Sequence, residues 1–239
     1  MLGIAGGGVG LGIALALLIE LILDQTVKRS LELEKQLRTP LLISIPYISL
    51  SDGRPRLRDR AEDPEHTGNG NLPVRCLADV SGQLLRPFCE AIRDRLGLFF
   101  QANNMSYKPK LVAVTGLAKN AGTSTLAAGL VDAFSEISAG KVVLVDKLAS
   151  SKGLYNMLSE FKRSDLDYVI FDMPSLRDTS ATLPLAAFMD MVLLVVEAEK
   201  SNRNAVKRAY TQLAAKTRVS VVFNKSRSYG PRWLEGELS

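Results

Sequence analysis

The sequence predicts an α/β fold with a doubly wound, mostly parallel sheet, preceded by one transmembrane helix. In the second half of the chain, short apolar runs rich in β-branched residues alternate with segments of helical periodicity. This alternation is typical of a parallel sheet with helices on both faces. The first 23 residues instead form one almost wholly apolar stretch, which is roughly long enough to cross a bilayer.

The composition is that of a globular protein. The chain has 239 residues, of which 46% are hydrophobic and 23% are charged, and both values are ordinary for a folded domain. The formal net charge of +5 is spread along the chain, so we expect a solvated basic surface near a membrane and no nucleic-acid partner. Two cysteines without a CxxC motif and a single histidine indicate neither a disulfide framework nor a zinc site.

The apolar stretch over residues 1–23 is predicted to be a single transmembrane helix. Its glycines form overlapping GxxxG pairs, which allow a second helix to pack closely in lipid. A signal peptide is the alternative, but no basic residue precedes the apolar stretch. Basic residues follow it directly, at positions 28, 29, 35 and 38, which predicts that the C-terminal domain is cytoplasmic.

Three regions follow the predicted span. Residues 24–50 are interpreted as a juxtamembrane segment, with a charged helix over 24–37 and a short strand over 39–48. Residues 51–80 are rich in Gly, Pro, Asn and mixed charge, which is typical of a linker. Residues 81–239 are the predicted domain, which opens with a helix over 83–103 whose apolar residues have near-helical spacing.

The core of this domain is predicted from five apolar runs. We expect strands over 111–115, 142–146, 168–172, 191–196 and 219–225, with helices from position 123 onward, over 152–163 and over 203–215. Asp146, Asp172 and Asn224 fall at the ends of three of these strands. Because ligands bind beyond the carboxyl ends of the strands in such sheets, these side chains mark the expected site.

The loop after the first of these strands is the strongest candidate for chemistry. A buried strand, a loop of small residues from Gly116 to Gly122, and a helix that opens with Thr123, Ser124 and Thr125 match a phosphate-binding P-loop. The P-loop motif also needs a lysine directly after its last glycine, and that position is Thr123 here. An ordinary turn between a strand and a helix is the alternative interpretation.

Taken in order, these segments resemble the bacterial tyrosine kinases (BY-kinases) of the polysaccharide co-polymerase group, over nearly the whole chain. The juxtamembrane phrase LDQTVKRSLELEKQLRTPLLISIP is similar to the one after that family's last span, and RPFCEAIRDRL is similar to its oligomerising helix. VAVTGLAKNAGTSTLAAGL resembles Walker A, VVLVDKL resembles Walker A′, YVIFDMPS resembles Walker B, and VVFNK resembles the last strand. In the family a periplasmic domain precedes this span, and we expect that domain on a separate chain or on a longer form of this one.

The resemblance implies a P-loop domain of the deviant Walker (MinD/ParA-like) type and assigns its candidate residues. The nucleotide-binding positions are Gly116, Lys119, Gly122, Thr123, Ser124, Thr125 and Asn224. No working metal site is expected, and Ser124 and Asp172 are the vestigial Mg²⁺ positions. The oligomer contacts are Glu90 and Arg93.

The departures from the family fall on its chemistry. Thr123 replaces the Walker A lysine, and Leu148 replaces the second acid of Walker A′, which leaves Asp146 and Asp172 as catalytic remnants. A threonine supplies no cation to the transferred phosphoryl group. Lys119 lies one place off the second lysine of deviant Walker loops, and the C-terminal tail holds one tyrosine where active members carry a cluster. The sequence therefore predicts a pseudokinase.

These residues suggest three functions. The first is an inactive membrane-anchored subunit that regulates or scaffolds exopolysaccharide or capsule polymerisation and export at the bacterial inner membrane. It would bind co-polymerase, polymerase or export subunits as a homo- or hetero-oligomer, without a cofactor or with only weak binding of ATP and Mg²⁺. The second is an active tyrosine autokinase or ATPase that uses Lys119 as its cation. The third, a positioning ATPase of the partitioning class, is disfavoured by the uninterrupted apolar span.

Overall fold

The computed structural model describes residues 26–49, 56–57, 74–138, 141–146, 157, 159–161, 163–178 and 181–227. The predicted transmembrane helix over 1–23, most of the predicted linker and the C-terminal tail lie outside these residues. Within the part of the chain that is described, none of the helices is both long enough and apolar enough to span a bilayer.

A six-stranded sheet forms the centre of the molecule, in the order β1-β8-β7-β4-β6-β5. Its strands are β1 (Ile43–Pro46), β4 (Lys110–Gly116), β5 (Val142–Asp146), β6 (Tyr168–Asp172), β7 (Met191–Glu197) and β8 (Val219–Ser226). All neighbouring strands pair in parallel. From the interior strand β4 the chain crosses to the edge strand β5, returns to β6 beside β4, and then continues on the other side of β4 through β7 and β8. This alternation of parallel strands and helices confirms the predicted α/β class. A separate antiparallel pair joins β2 (Ile48–Ser49) to β3 (Arg56–Leu57).

Helices cover both faces of this sheet. They are α1 (Ser30–Leu37), α2 (Val74–Ala102), α3 (Thr123–Ile137), α4 (Thr182–Ala186) and α5 (Arg203–Ala214). Helices α2 and α3 pack together on one face, and α1 and α4 pack against α5 on the other. The strands between them are buried on both sides, which explains why their sequences are continuous apolar runs and do not alternate with polar residues.

Strand β7 shows this double burial most clearly. All seven of its residues are buried. Val192, Leu194 and Val196 belong to the core under α5, whereas Leu193 and Val195 belong to the core under α2 and α3. Successive side chains of a strand point to opposite faces, so a single apolar run supplies both hydrophobic cores.

The first helix is shorter than the sequence predicts. It begins at Ser30, not at position 24, because the backbone of Val27 is hydrogen-bonded elsewhere. The Val27 N–H donates to Ser201 O at 2.9 Å, and the Val27 carbonyl accepts from Glu199 N at 2.8 Å. The Val27 side chain is fully buried, so this extended segment is anchored on the turn after β7.

Other element boundaries also differ from the predictions. The strand predicted over 39–48 is the short β1, which pairs with β8 as the sheet edge and shows a register shift between Ser44 and Pro46. Helix α2 begins at Val74, within the segment assigned to the linker, and contains Pro87. Helix α4 was not predicted. Of the helix predicted over 152–163, residues 157 and 159–161 are helical and most of the remainder lies outside the described residues.

Candidate functional site

The loop between β4 and α3 crosses the carboxyl edge of the sheet. Helix α3 begins at Thr123, as predicted, and Gly122 precedes it with φ of 94°. No side chain caps this helix start, so its first backbone N–H groups have no intrahelical acceptor and no side-chain acceptor at the cap. These N–H groups and the positive end of the helix dipole suit a bound anion.

Gly122 is required here for two independent reasons. Its φ lies in the left-handed region, where a Cβ is strained. In addition, a Cβ at this position would lie 2.3 Å from Nδ2 of Asn224. The same Nδ2 donates to Ala121 O at 2.8 Å. Asn224, a predicted nucleotide-binding residue, therefore fixes the loop backbone.

Lys225 is a second contact between β8 and the loop, and the sequence reasoning did not identify it. Its Nζ donates to Asn120 O at 2.8 Å and to Glu197 Oε1 at 2.8 Å. Burial alone would raise the pKa of Glu197, but the hydrogen bonds from Lys225 and Lys200 outweigh it and leave that pKa below its usual value. The signal in the sequence that points to this contact is Glu197, the partner of Lys225. It is an acid directly after an apolar run, the same pattern that identified Asp146 and Asp172.

Thr123 occupies the position of the missing lysine and lies against the start of the loop. A Cβ at Gly116 would lie 3.2 Å from Cγ2 of Thr123, so the threonine methyl group contacts the loop backbone. Lys119, the predicted substitute cation, has a side chain that is 79% exposed, and its Nζ lies 4.0 Å from Asp178 Oδ1. At that distance and exposure the ion pair is weak.

The two remnant acids lie side by side at the same edge of the sheet. Asp146 and Asp172 are register partners at the ends of β5 and β6. Burial raises the pKa of Asp172, a hydrogen bond from Ser124 opposes the rise, and the charge of Asp146 adds to it. The structure thus brings together Ser124 and Asp172, the two residues predicted to hold Mg²⁺.

The segment after β6 is hydrogen-bonded to the end of β4, where the loop begins. Leu176 N donates to Gly116 O at 2.9 Å. The buried hydroxyl groups of Thr115 and Thr182 both donate to Pro174 O, at 2.9 and 3.1 Å. The short helix α4, absent from the sequence predictions, supplies the second of these hydroxyl groups.

A pocket of about 260 Å³ opens beside the loop. Its walls come from the end of β1, the start of α3 and the end of β8. Thr125, a predicted nucleotide-binding residue, lies on its surface together with Gly122 and Asn224, and Tyr47 also lines it. The segment over residues 24–50, which the sequence predicts to be juxtamembrane, therefore contributes to the candidate site.

The residues predicted to make oligomer contacts have partners within this chain. Glu90 accepts from Arg86 Nε at 2.8 Å. Arg93, whose side chain is 14% exposed, donates to Ala133 O at 3.1 Å and to Asp94 Oδ1 at 2.8 Å. Their role between subunits stays a prediction.

Known structures share this fold, although no protein-family model matches the sequence and no curated protein matches it significantly. The chimerical protein CapA2B2 aligns with a TM-score of 0.54 and 17% identity, over 84% of this chain and 100% of that one. The kinase domain of the Escherichia coli tyrosine kinase ETK aligns with a TM-score of 0.56 and 15% identity, over 82% of this chain and 98% of that one. The BceF tyrosine kinase domain aligns with a TM-score of 0.60 and 12% identity, over 85% and 100%. The chain thus has the fold of tyrosine kinase domains of the bacterial type.

Proposed function

We propose that this chain is a membrane-anchored, catalytically inactive BY-kinase-like subunit. It regulates or scaffolds the polymerisation and export of an exopolysaccharide or capsule at the bacterial inner membrane. Support comes from the ordered motif resemblance along the sequence, from the fold shared with tyrosine kinase domains, and from the apolar stretch over residues 1–23. Its partners are co-polymerase, polymerase or export subunits, in a homo- or hetero-oligomer.

The proposal that the chain is inactive rests on where the lysine side chains around the loop are placed. Thr123 replaces the lysine that would follow Gly122. The Lys225 ammonium group is bonded to Asn120 O and Glu197, and the Lys119 ammonium group extends into solvent near Asp178. Catalysis of phosphoryl transfer is almost entirely positioning and electrostatic stabilisation. A loop with its cations in these positions is not arranged to stabilise the transferred group.

The residues at the site fit ATP and Mg²⁺ only in part. The uncapped N–H groups at the start of α3 suit a phosphate, and hydroxyl and carboxylate oxygens such as those of Ser124 and Asp172 suit Mg²⁺. When bound, ATP would supply the phosphoryl group. However, a lost hydrogen bond to a charged group costs about 1.5–3 kcal/mol, or roughly 10- to 150-fold in affinity. We therefore expect weak ATP binding without turnover.

Calorimetry and phosphorylation assays on the full chain in mild detergent test this proposal. With Mg-ATP we expect no ATPase activity, no tyrosine phosphorylation, and binding too weak to saturate at cellular ATP concentrations. Thr123→Lys should tighten ATP binding by roughly 10- to 150-fold, because it restores one charged contact. An active bacterial tyrosine kinase assayed in parallel provides the positive control.

The second candidate, an active kinase that uses Lys119, rests on the exposure of that side chain, which leaves it mobile. Micromolar ATP binding by the unaltered chain that is lost in Lys119→Ala would establish this alternative and overturn the pseudokinase assignment. Purification from native membranes tests the remaining part of the proposal. Recovery of a polysaccharide polymerase or co-polymerase with the chain is expected, whereas recovery of a septum or chromosome factor would contradict it.

A further inference from the structure

The point where the chain leaves the predicted membrane span is fixed on the domain. The described chain begins at Thr26, three residues after position 23, where the predicted span ends. Fully extended residues span at most about 3.6 Å each, so Thr26 lies within about 11 Å of the end of that span. The part of the domain that holds Thr26 must therefore lie next to the membrane.

The turn between β7 and α5 is the part that holds it. Val27 N–H donates to Ser201 O at 2.9 Å, and Glu199 N–H donates to Val27 O at 2.8 Å. Arg203 Nε also donates to Thr26 O at 3.3 Å. Because the Val27 side chain is fully buried, the chain is attached here through both its backbone and its core.

Helix α1 extends this attachment along α5. Arg203 Nη2 lies 2.8 Å from Glu32 Oε2, and Gln36 Nε2 donates to Arg203 O at 3.0 Å. Further along, the hydroxyl groups of Thr39 and Tyr210 lie 2.9 Å apart. From Thr26 onward the juxtamembrane segment is thus part of the folded domain, and only residues 24 and 25 separate it from the predicted span.

This attachment determines which edge of the sheet faces the bilayer. The β7–α5 turn follows the carboxyl end of β7, so it lies at the same edge as the loop over residues 116–122 and as Asp172. Helix α5 runs from that turn over 12 residues, about 18 Å at the rise of an α-helix. Its far end, near Lys216, therefore lies at the opposite edge and away from the membrane.

The charge of this edge suits the cytoplasmic leaflet, whose lipids are partly anionic. Lys28 and Arg29 are exposed next to the attachment point, and Lys200 in the turn has a side chain that is 71% exposed. The two acids of the turn are paired. Glu197 is bonded to Lys225 and to Lys200 itself, and Glu199 lies 3.3 Å from Arg227 Nη1. Asp146 and Asp172 also lie at this edge, but at the ends of β5 and β6, on the far side of β4 from the turn.

We propose that the carboxyl edge of the sheet lies against anionic lipid headgroups, with Lys28, Arg29 and Lys200 at the lipid surface. The inference rests on the membrane anchoring in the proposed function and specifies its geometry. In this orientation the loop over residues 116–122 faces the bilayer. A ligand would then reach the loop only through the gap between the protein and the headgroups.

Depth-dependent quenching in nanodiscs tests this orientation. The full chain is reconstituted with phosphatidylglycerol, and a fluorescent coumarin amino acid replaces either Lys200 or Lys216. These are exposed lysines beyond opposite ends of α5, so they form a matched pair. With nitroxide on the lipid headgroups, position 200 should lose most of its fluorescence and position 216 should lose little. Position 119 provides a second reporter on the carboxyl edge, in case a label at 200 disturbs Glu197.

Each outcome separates the inference from the anchoring that it assumes. Stronger quenching at 200 and 119 than at 216 supports the orientation. A chain that inserts but shows equal quenching at all positions, or more at 216, overturns the orientation and leaves the anchoring intact. A chain that does not incorporate into the nanodiscs overturns both. Quenching at 119, in a chain that keeps Lys28, Arg29 and Lys200, should also fall in discs of phosphatidylcholine alone, since each basic residue at an anionic surface adds about fivefold to binding, from ~1 kcal/mol. Equal quenching in the two lipids would show that Lys28, Arg29 and Lys200 do not bind the anionic headgroups.

Discussion

Gly122→Ala is expected to destabilise the start of α3 through two separable effects. An alanine with φ near 94° costs about 1–2 kcal/mol in the left-handed region. Its Cβ would also lie 2.3 Å from Asn224 Nδ2, which must move and give up its 2.8 Å hydrogen bond to Ala121 O. Loss of that bond costs about 0.5–1.5 kcal/mol. Together these effects predict a loss of roughly 1.5–3.5 kcal/mol in the free energy of unfolding.

A matched control and a double mutant separate the two effects. Gly97 lies inside helix α2, and a Cβ there would contact nothing within 4 Å. Gly97→Ala should therefore stabilise the protein by about 0.5–1 kcal/mol. In the Asn224→Ala background the clash and the hydrogen bond to Ala121 O are already absent, so Gly122→Ala adds only the backbone strain. The two substitutions should be coupled by roughly 0.5–1.5 kcal/mol.

Urea unfolding of the full chain in detergent, followed by circular dichroism, measures the global effect. Hydrogen exchange of the amides in the first turn of α3 measures the local one. The reasoning fails if Gly122→Ala is as stable as the unaltered chain. Additive effects of Gly122→Ala and Asn224→Ala would show that the contact with Asn224 carries no strain, and the geometry of the loop would then rest on φ alone.

Three further predictions follow from buried contacts. Gly129→Ala would place a Cβ 2.7 Å from Cys89 Sγ, so it should cost about 1–3 kcal/mol, and Cys89→Ala should restore most of that loss in an unfolding titration. Burial, with smaller contributions from nearby acids, raises the pKa of the Cys89 thiol to about 12; iodoacetamide at pH 8 should therefore modify it only after unfolding, and rapid labelling of the folded chain would contradict its burial. Glu197→Gln should cost about 1–3 kcal/mol at pH 7. The folded-state pKa of Glu197 is lowered, so its stabilisation exists above the unfolded pKa and disappears as the pH falls through the folded value. The stability difference between the two proteins in acid-unfolding curves should therefore begin to shrink once the pH falls below the ordinary glutamate pKa of about 4.3. A constant difference down to pH 2 would contradict that assignment.

Strand positions were predictable because a strand that is buried on both faces is a continuous apolar run in the sequence. β5 and β6 have the predicted bounds, and α3 begins at the predicted residue. In each case a continuous apolar run ends abruptly at a polar residue, since the strand leaves the core at that point. The same rule placed Asp146, Asp172 and Asn224 at one edge, where the structure has them.

Contacts between segments distant in the chain left no such trace. The sequence predicts Val27 in the first turn of a charged helix, yet its backbone is hydrogen-bonded to Ser201 and Glu199. Lys119 Nζ lies 4.0 Å from Asp178 Oδ1, in the segment after β6. Periodicity describes only the faces of one element, so it cannot reveal which distant turn binds a particular backbone N–H.

The loop keeps the shape of a phosphate-binding loop for reasons that lie within the fold itself. Asn120 O and Ala121 O accept from Lys225 and Asn224 at 2.8 Å each, and Gly116 O accepts from Leu176 N at 2.9 Å. These bonds hold the loop from both neighbouring segments without any contribution from a ligand. None of these bonds involves the side chain at position 123, so a threonine or a lysine there leaves the loop held in the same way. The shape of the loop is therefore independent of the cation at position 123, and that shape alone does not distinguish a catalytic loop from an inactive one.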